Sequence, residues 1–491
     1  MAGLMPAMAF FNRHTARAMP QHHRRYFPTT HVGSLPRSQP VVDQIFARER
    51  GEVVDEALFN ETMRVAVDHA VQRQVQSGID IVSDGEMSKI SYATYIKDRY
   101  TGFDGDSERR TPADLLDYPG FMKRLASGGG TPTYRRPCCV GPIQVKSLLP
   151  LEHDIAHVKS AARKHGAKAV FMNAASPGVV ALFQPNRHYA DDDQYLQALA
   201  HALRHEYHAI VDAGLILQLD SPDLGLGRHM MYKDLEEGAY LRRIERHVEA
   251  LNEALVAIPA DRVRMHVCWG NYEGPHHKDV PLATILPIVM KAKPQALLFE
   301  TSNPRHAHEW ETIAQMRHCI PDDKILIPGV LDSTTNFVEH PRLVAQRLQR
   351  FADIVGPDRV MAGTDCGFGT FAGPVPSMVA SGKIKAIGLT TRTPVPGFTQ
   401  LTPLAGLPGM QELEFNSWAG LQVPRGTPEA VLQKINQAAQ EALRNPETRK
   451  AFEESGNQIT PPTSVIDTDR SYQAEIARYQ AIARAINLQP Q

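Results

Sequence analysis

The stretch Val263-Arg264-Met265-His266-Val267-Cys268 decides the fold. It is a short β-branched and apolar run that ends on two chemically active side chains. Residues i and i+2 of a strand point to the same side, so His266 and Cys268 leave the strand end together. The design recurs on both sides. Candidate strands read at Tyr26 to Val32, Ile79 to Ser83, Ala169 to Met172, Leu215 to Leu219, Val263 to Val267, Ala296 to Phe299, Lys324 to Pro328 and Val360 to Gly363, eight in all. The amphipathic stretches Leu235 to Ile258, Leu282 to Lys291 and Pro341 to Val355 are each long enough to cross over to the next strand. Such alternation predicts an α/β fold, a (β/α)8 TIM barrel over about residues 27–373, followed by a smaller α/β segment. A ninth run, Cys138 to Val145, is surplus and is assigned to an insertion between the second and third units.

Asp220, His266, Glu300, Asp332 and Cys366 close or follow their apolar runs at intervals of 46, 34, 32 and 34 residues, about one βα unit each. A barrel gathers its strand ends on one rim, where active sites are built, so these five are expected to meet. Taken alone, His266 and Cys268 read first as a buried histidine and a small apolar cysteine rather than as ligands. Glu300 one unit later and Cys366 two units after that turn the reading to a metal site. Two sulfurs, one imidazole nitrogen and one carboxylate oxygen suit zinc better than magnesium or calcium.

Of the 491 residues, 42 % are apolar and 22 % charged, which excludes a disordered or fibrous chain. Lys+Arg 53 against Asp+Glu 54 leaves a formal net charge of -1, so neither nucleic acid nor an anionic membrane is the expected partner. No apolar run reaches the roughly 18 residues of a membrane span. The five cysteines, at 138, 139, 268, 319 and 366, are odd in number and thinly spread, which suits a reducing, cytoplasmic setting. Cys138, Cys139 and Cys319 read as packing residues. The first acid is Asp43, and Arg13, Arg17, Arg24 and Arg25 follow the apolar start rather than precede it, unlike a secretory signal. Residues 1–26 are therefore read as a disordered leader, with a transit peptide as the other reading.

Several separated motifs resemble the catalytic barrel of cobalamin-independent methionine synthases and their shorter zinc-dependent thiol alkyltransferase relatives. They are Thr29-Thr30-His31-Val32-Gly33-Ser34-Leu35-Pro36-Arg37, Asp84-Gly85-Glu86, Leu217-Gln218-Leu219-Asp220, His266-Val267-Cys268, Phe299-Glu300 and Gly363-Thr364-Asp365-Cys366-Gly367, in that family's order over about residues 27–370. The resemblance implies methyl or alkyl transfer to or from a small thiol such as homocysteine, with a zinc ion favouring thiolate over thiol. It implies that Ser34 binds an amino-acid carboxylate, that Glu86 and Asp220 face its ammonium group, and that Asp332 is a catalytic candidate. The plainer readings are a solvated acid after a glycine turn for Glu86 and a helix cap for Asp220. Arg305, between the strand-end Glu300 and His306, is a candidate for an anionic substrate group, or else part of a hydrated loop with His276, His277 and His308.

The chain also departs from that family. The run Asn173-Ala174-Ala175-Ser176 offers no aromatic to stack a pterin, and Thr334 stands where the family has a proton-donating histidine. Asp220-Ser221-Pro222 replaces Asp-Glu-Pro, and a duplicate N-terminal barrel is absent. Methyltetrahydrofolate is thus one candidate donor among several, and the donor stays open. Residues 374–491 resemble the C-terminal part of periplasmic solute receptors of the tripartite tricarboxylate transporter family. That resemblance rests on Ser381 to Thr390, Gly406-Leu407-Pro408-Gly409, Ser417 to Leu421 and Pro424 to Pro428. Helix starts are expected at Thr427-Pro428-Glu429 and Asn445-Pro446-Glu447. A solute-binding protein, or a catalytically impaired fusion whose barrel only binds zinc, is the alternative function.

Overall fold

The computed structural model describes residues 26–108, 110–127, 135–272, 274–335, 337–369, 423–424, 426–446, 448–449, 459 and 463–485. The expected leader up to residue 25 and the tail segments 375–422 lie outside them. The strands are β1 (Ile81–Val82), β2 (Phe103–Asp104), β3 (Cys138–Cys139), β4 (Ala169–Ala175), β5 (Ile216–Asp220), β6 (Val263–Val267), β7 (Ala296–Phe299) and β8 (Ile325–Pro328). β1, β4, β5, β6, β7 and β8 form one parallel sheet in that order, and β2 pairs antiparallel with β3. The sheet closes through single bridges. Thr29 pairs with Ala362, Leu326 with Val360 and Gly329 with Gly363, all parallel, while the Asp80 and Ile81 N–H groups donate to Thr29 O. The first and eighth expected strands therefore complete an eight-membered (β/α)8 ring. The surplus run Cys138 to Val145 is seen as β3 of the outlying hairpin, between β1 and β4.

Alternation along these strands sorts side chains into two cores. Inside the ring lie Val32, Ile81, Phe171, Ile216, Ala296, Leu298, Ile325, Ile327 and Met361. The residues between them, such as Met172, Leu217, Leu219, Met265, Val267, Leu297 and Leu326, face the surrounding helices. Followed upward, the inward positions change character. β5 reads Ile216, Gln218, Asp220; β6 reads Arg264, His266; β7 reads Ala296, Leu298 and then Glu300. An apolar floor thus gives way to a polar middle layer and a ring of acid, imidazole and thiol at the C-terminal rim. Shortening the floor by Ile327→Val should cost about 1 kcal/mol in urea unfolding with unchanged metal binding, because a fully buried methylene is lost without touching the rim.

The crossovers follow the expected helices closely. Glu237–Ala254, Leu282–Val289 and Pro341–Val355 occupy the three stretches read as helical. Long helices Glu56–Gln76 and Leu149–His165 pack on one another beside β1 and β4. Buried between Ile96–Arg99 and its neighbours, Arg99 binds Asp154 at 2.7 Å and Glu206 at 2.6 Å, and Tyr95 donates to the same Glu206 at 2.8 Å. Among the described residues no helix is long and apolar enough to cross a membrane.

The chain divides into two compact units, Met1–Ala380 and Ser381–Gln491. The described part of the second contains helices Glu429–Arg444 and Val465–Ala485. The first begins at Glu429 with Pro428 rather than Thr427 at the cap position, and Thr427 Oγ1 donates instead to Pro424 O at 2.7 Å. At the second expected start, Asn445 Oδ1 accepts from Thr448 N at 3.2 Å, the capping bond that sequence type predicts.

Candidate metal centre

His266, Cys268 and Cys366 come together at the rim, with one donor atom from each lying within 4.8 Å of the others and all three buried. β6 supplies the first two from one face of its end, and the turn after Gly363 brings the third. Gly367 is needed for that turn to sit where it does, because a Cβ there would lie 2.0 Å from Ser34 Oγ. Asp220 Oδ1 lies 3.3 Å from His266 Nδ1, and the other ring nitrogen, Nε2, lies 3.4 Å from Asp365 O, a weak contact that ligation through Nε2 would replace. Burial disfavours the imidazolium of His266, but the Asp220 hydrogen bond and the neighbouring Cys268 outweigh it and raise the ring to about 9. The hydrogen bond with Cys366, burial and the neighbouring sulfur push the Cys268 thiol well above its ordinary value.

Glu300 stands beside this trio rather than within it. Its Oε1 accepts from Trp269 N at 2.7 Å and its Oε2 from Asn303 Nδ2 at 2.8 Å. Asp365, next to Cys366, is buried and cradled: Thr301 N, Ser302 N and Asn303 N donate to it at 2.8, 2.9 and 2.7 Å. That cradle ties the loop carrying Glu300 to the loop carrying Cys366. Burial, against the opposing charge of His306, raises Glu300, and burial with the nearby Glu300 raises Asp365 to about 8. The donor set therefore fits a divalent cation. The Cys268 thiol and the Glu300 and Asp365 carboxyl groups are all raised in this buried space, so each resists ionising alone, and a bound dication reverses that balance. Sulfur and imidazole ligands select zinc over hard cations.

The expected substrate residues lie on the same rim. Ser34 is buried against Gly367, and its carbonyl accepts from Phe368 N at 2.9 Å. Glu86 is buried, adopts the left-handed backbone at φ 55°, and its Oε2 finds no hydrogen-bond partner among the described residues. A non-glycine residue held there costs free energy, and the turn is fixed by Arg37, whose guanidinium donates to Glu86 O at 2.6 Å and Lys89 O at 3.2 Å. Burial raises the Glu86 carboxyl to about 7, against the pull of Lys89 and with the push of Asp220. Asp220 Oδ2 accepts from Asn173 Nδ2 at 3.0 Å. Asn173 in turn dictates a glycine opposite, since a Cβ on Gly33, at φ 136°, would lie 2.2 Å from Asn173 Oδ1.

Two of the sequence candidates are placed apart from the trio. The Asp332 carboxylate turns back on its own loop, accepting from Thr334 N at 2.9 Å and Thr334 Oγ1 at 2.8 Å. Arg305 is exposed, and its backbone N–H donates to Asn303 Oδ1. The histidines near it are not a hydrated loop throughout. His306 and His276 are held by one buried carboxylate, Asp279, at 2.9 and 3.0 Å, and the His306 ring lies 4.4 Å from that of Trp269. Cys138 and Cys139 are fully buried, whereas Cys319 is half-buried in a short turn after the helix Trp310–Gln315.

Sequence reasoning passed over Asn173, Gln218, Arg264, Asn303 and Asp365 as participants. The signal available for Gln218, Arg264 and Asn173 was parity, since each sits at an inward position of its strand, two residues below a rim group or level with that layer.

Residues 27–108 and 171–375 match the family described as Cobalamin-independent synthase, Catalytic domain, and residues 371–488 match the Tripartite tricarboxylate transporter family receptor. A methionine synthase of Saccharolobus solfataricus is 26 % identical over 345 residues, covering 69 % of this chain and 87 % of that protein. A methionine synthase of Sulfurisphaera tokodaii is 24 % identical over 346 residues, covering 69 % and 85 %. Among solved structures, a B12-independent methionine synthase from Shewanella sp. W3-18-1, in complex with selenomethionine, superposes with a TM-score of 0.53 at 18 % identity, covering 73 % of this chain and 94 % of that one. These last values bear on the fold, and they agree with the closed barrel.

Proposed function

The chain belongs to the cobalamin-independent synthase catalytic-domain family, and from that premise we propose that its barrel is a zinc-dependent transferase moving a methyl or larger alkyl group to or from a small thiol such as homocysteine. The observation that carries this reading is the buried trio of His266, Cys268 and Cys366 at the strand ends. These three would hold the ion, with Glu300 beside them as the fourth donor. When bound, zinc supplies the positive charge that keeps a substrate thiol ionised at neutral pH.

The remaining work falls to this chain's own residues. Asp220 holds Nδ1 of His266, so the ring presents Nε2. Glu86, with one buried oxygen unpartnered, takes the ammonium group of an amino-acid thiol, assisted by Asp220, and Ser34 takes its carboxylate. The asparagine side chain of residue 173 and the absence of an aromatic in the run 173–176 favour a donor other than a stacked pterin. Asp332 is assigned to shaping the loop after β8 through Thr334 rather than to proton transfer.

Metal analysis of the purified full chain tests the proposal. The expected result is one zinc per chain and, on adding homocysteine, one further sulfur neighbour in the zinc X-ray absorption spectrum. A metal-free protein after expression and reconstitution with zinc would overturn it and shift attention to the receptor-like segment 371–488.

A further inference from the structure

The polar middle layer of the barrel is occupied by groups that the proposed chemistry does not use. Arg264 is fully buried inside the ring, and its guanidinium carbon lies 3.5 Å from the centre of the Phe171 ring. Its Nε donates to Gln218 Oε1 at 2.8 Å, and its two terminal nitrogens donate to Thr30 Oγ1 and His31 O, both at 2.9 Å. Because Oε1 of Gln218 is thereby engaged as an acceptor, Nε2 must be the end that points to Val32 O and, at 3.2 Å, to Asp220 Oδ1. That same Asp220 oxygen is the one 3.3 Å from His266 Nδ1.

We infer that Arg264 and Gln218 are positioning residues for the metal centre, a hydrogen-bonded relay that sets the direction of the Asp220 carboxylate and through it the tautomer and ring orientation of His266. Each link is polarised in one sense: a guanidinium that can only donate fixes the amide, the amide presents N–H to the carboxylate, and the carboxylate accepts from Nδ1. Without Arg264 the amide loses the partner that decides which end faces Asp220. Without Gln218 the carboxylate is held, apart from the His266 ring it must orient, by Asn173 on its other oxygen. Partners at this remove from a metal typically change its affinity by about 10- to 100-fold.

The inference rests on the zinc-binding reading, so wild-type protein is titrated first with zinc against a chromophoric chelator, beside Gln218→Met, Arg264→Met and the double variant. Gln218→Met is expected to weaken zinc binding by about 10- to 100-fold, and the double variant to weaken it no further, because both act along one chain of contacts. The double variant also avoids the buried Arg264 Nε that Gln218→Met alone leaves unpaired. Wild-type affinity in a folded Gln218→Met or double variant, with thermal unfolding of the metal-free form recorded alongside, would overturn the relay. So would strictly additive losses. A wild-type protein that binds no zinc fails the zinc-binding reading itself, and the relay's assignment to a metal centre falls with it.

Discussion

Cys366→Ser and Cys268→Ser should each lower zinc affinity at least a hundredfold and abolish detectable transfer, while Cys319→Ser and Cys139→Ser leave both unchanged. The size follows from ligand arithmetic. A buried site with four protein ligands is stabilised by roughly 10–16 kcal/mol at neutral pH, so the loss of one soft ligand removes about 3 kcal/mol or more. Serine is close to isosteric but is not ionised near neutral pH, so it cannot replace a thiolate. The controls separate metal ligation from packing, because Cys139 is buried in the outlying hairpin and Cys319 lies in a turn, neither of them near the trio. The same titration has a defined pH dependence. Cys268 is pushed up and His266 is raised to about 9, so both must shed protons when the metal binds. Zinc affinity should therefore climb as pH rises from 6 to 8, by more than one tenfold step, and a flat profile would show that these groups are not the ligands.

Glu86→Gln should make the ligand-free protein more stable at pH 8 and a worse binder of any amino-acid thiol. Glu86 is buried with one oxygen unpartnered, and its carboxyl is raised from the ordinary 4.5 to about 7. A carboxyl whose folded value lies above its unfolded value stabilises the fold fully below the unfolded value, and that stability is lost as pH rises through the folded one. By pH 8 the folded chain carries a buried charge at a cost on the order of 3 kcal/mol. The amide avoids that cost, so urea unfolding at pH 8 should show a gain of up to that size, fading toward pH 5. A substrate ammonium would meet an ionised Glu86 and gain a buried ion pair, which the amide cannot offer. KM for homocysteine should therefore rise by one to two orders of magnitude in Glu86→Gln, with little change for a thiol that lacks the amino group. Equal effects on both thiols would detach Glu86 from ammonium recognition.

The eight strands, the three crossover helices and the surplus run at Cys138 were legible because each depends on local chemistry. Short β-branched runs and helical periodicity are properties of neighbouring residues, and the parity of a strand alone places His266 and Cys268 on one side. The convergence of His266, Cys268 and Cys366 followed from topology, since a closed parallel barrel leaves its strand ends no other place to go. What the chain order could not convey was where each side chain spends its hydrogen bonds. Glu300, read only as a ligand, also accepts from Trp269 N and Asn303 Nδ2, bonds that orient its carboxylate, and Asp332 closes its own turn with Thr334. Asp220 was read for its charge toward a substrate, and it also grips the ring of His266. The Arg264–Gln218 pair is further from legibility still, because one residue belongs to β6 and the other to β5, and only the register of the closed sheet brings them level. Strand and ligand type are fixed by residues near in sequence. Partner choice is fixed by distances across the barrel, which exist only once the ring has closed.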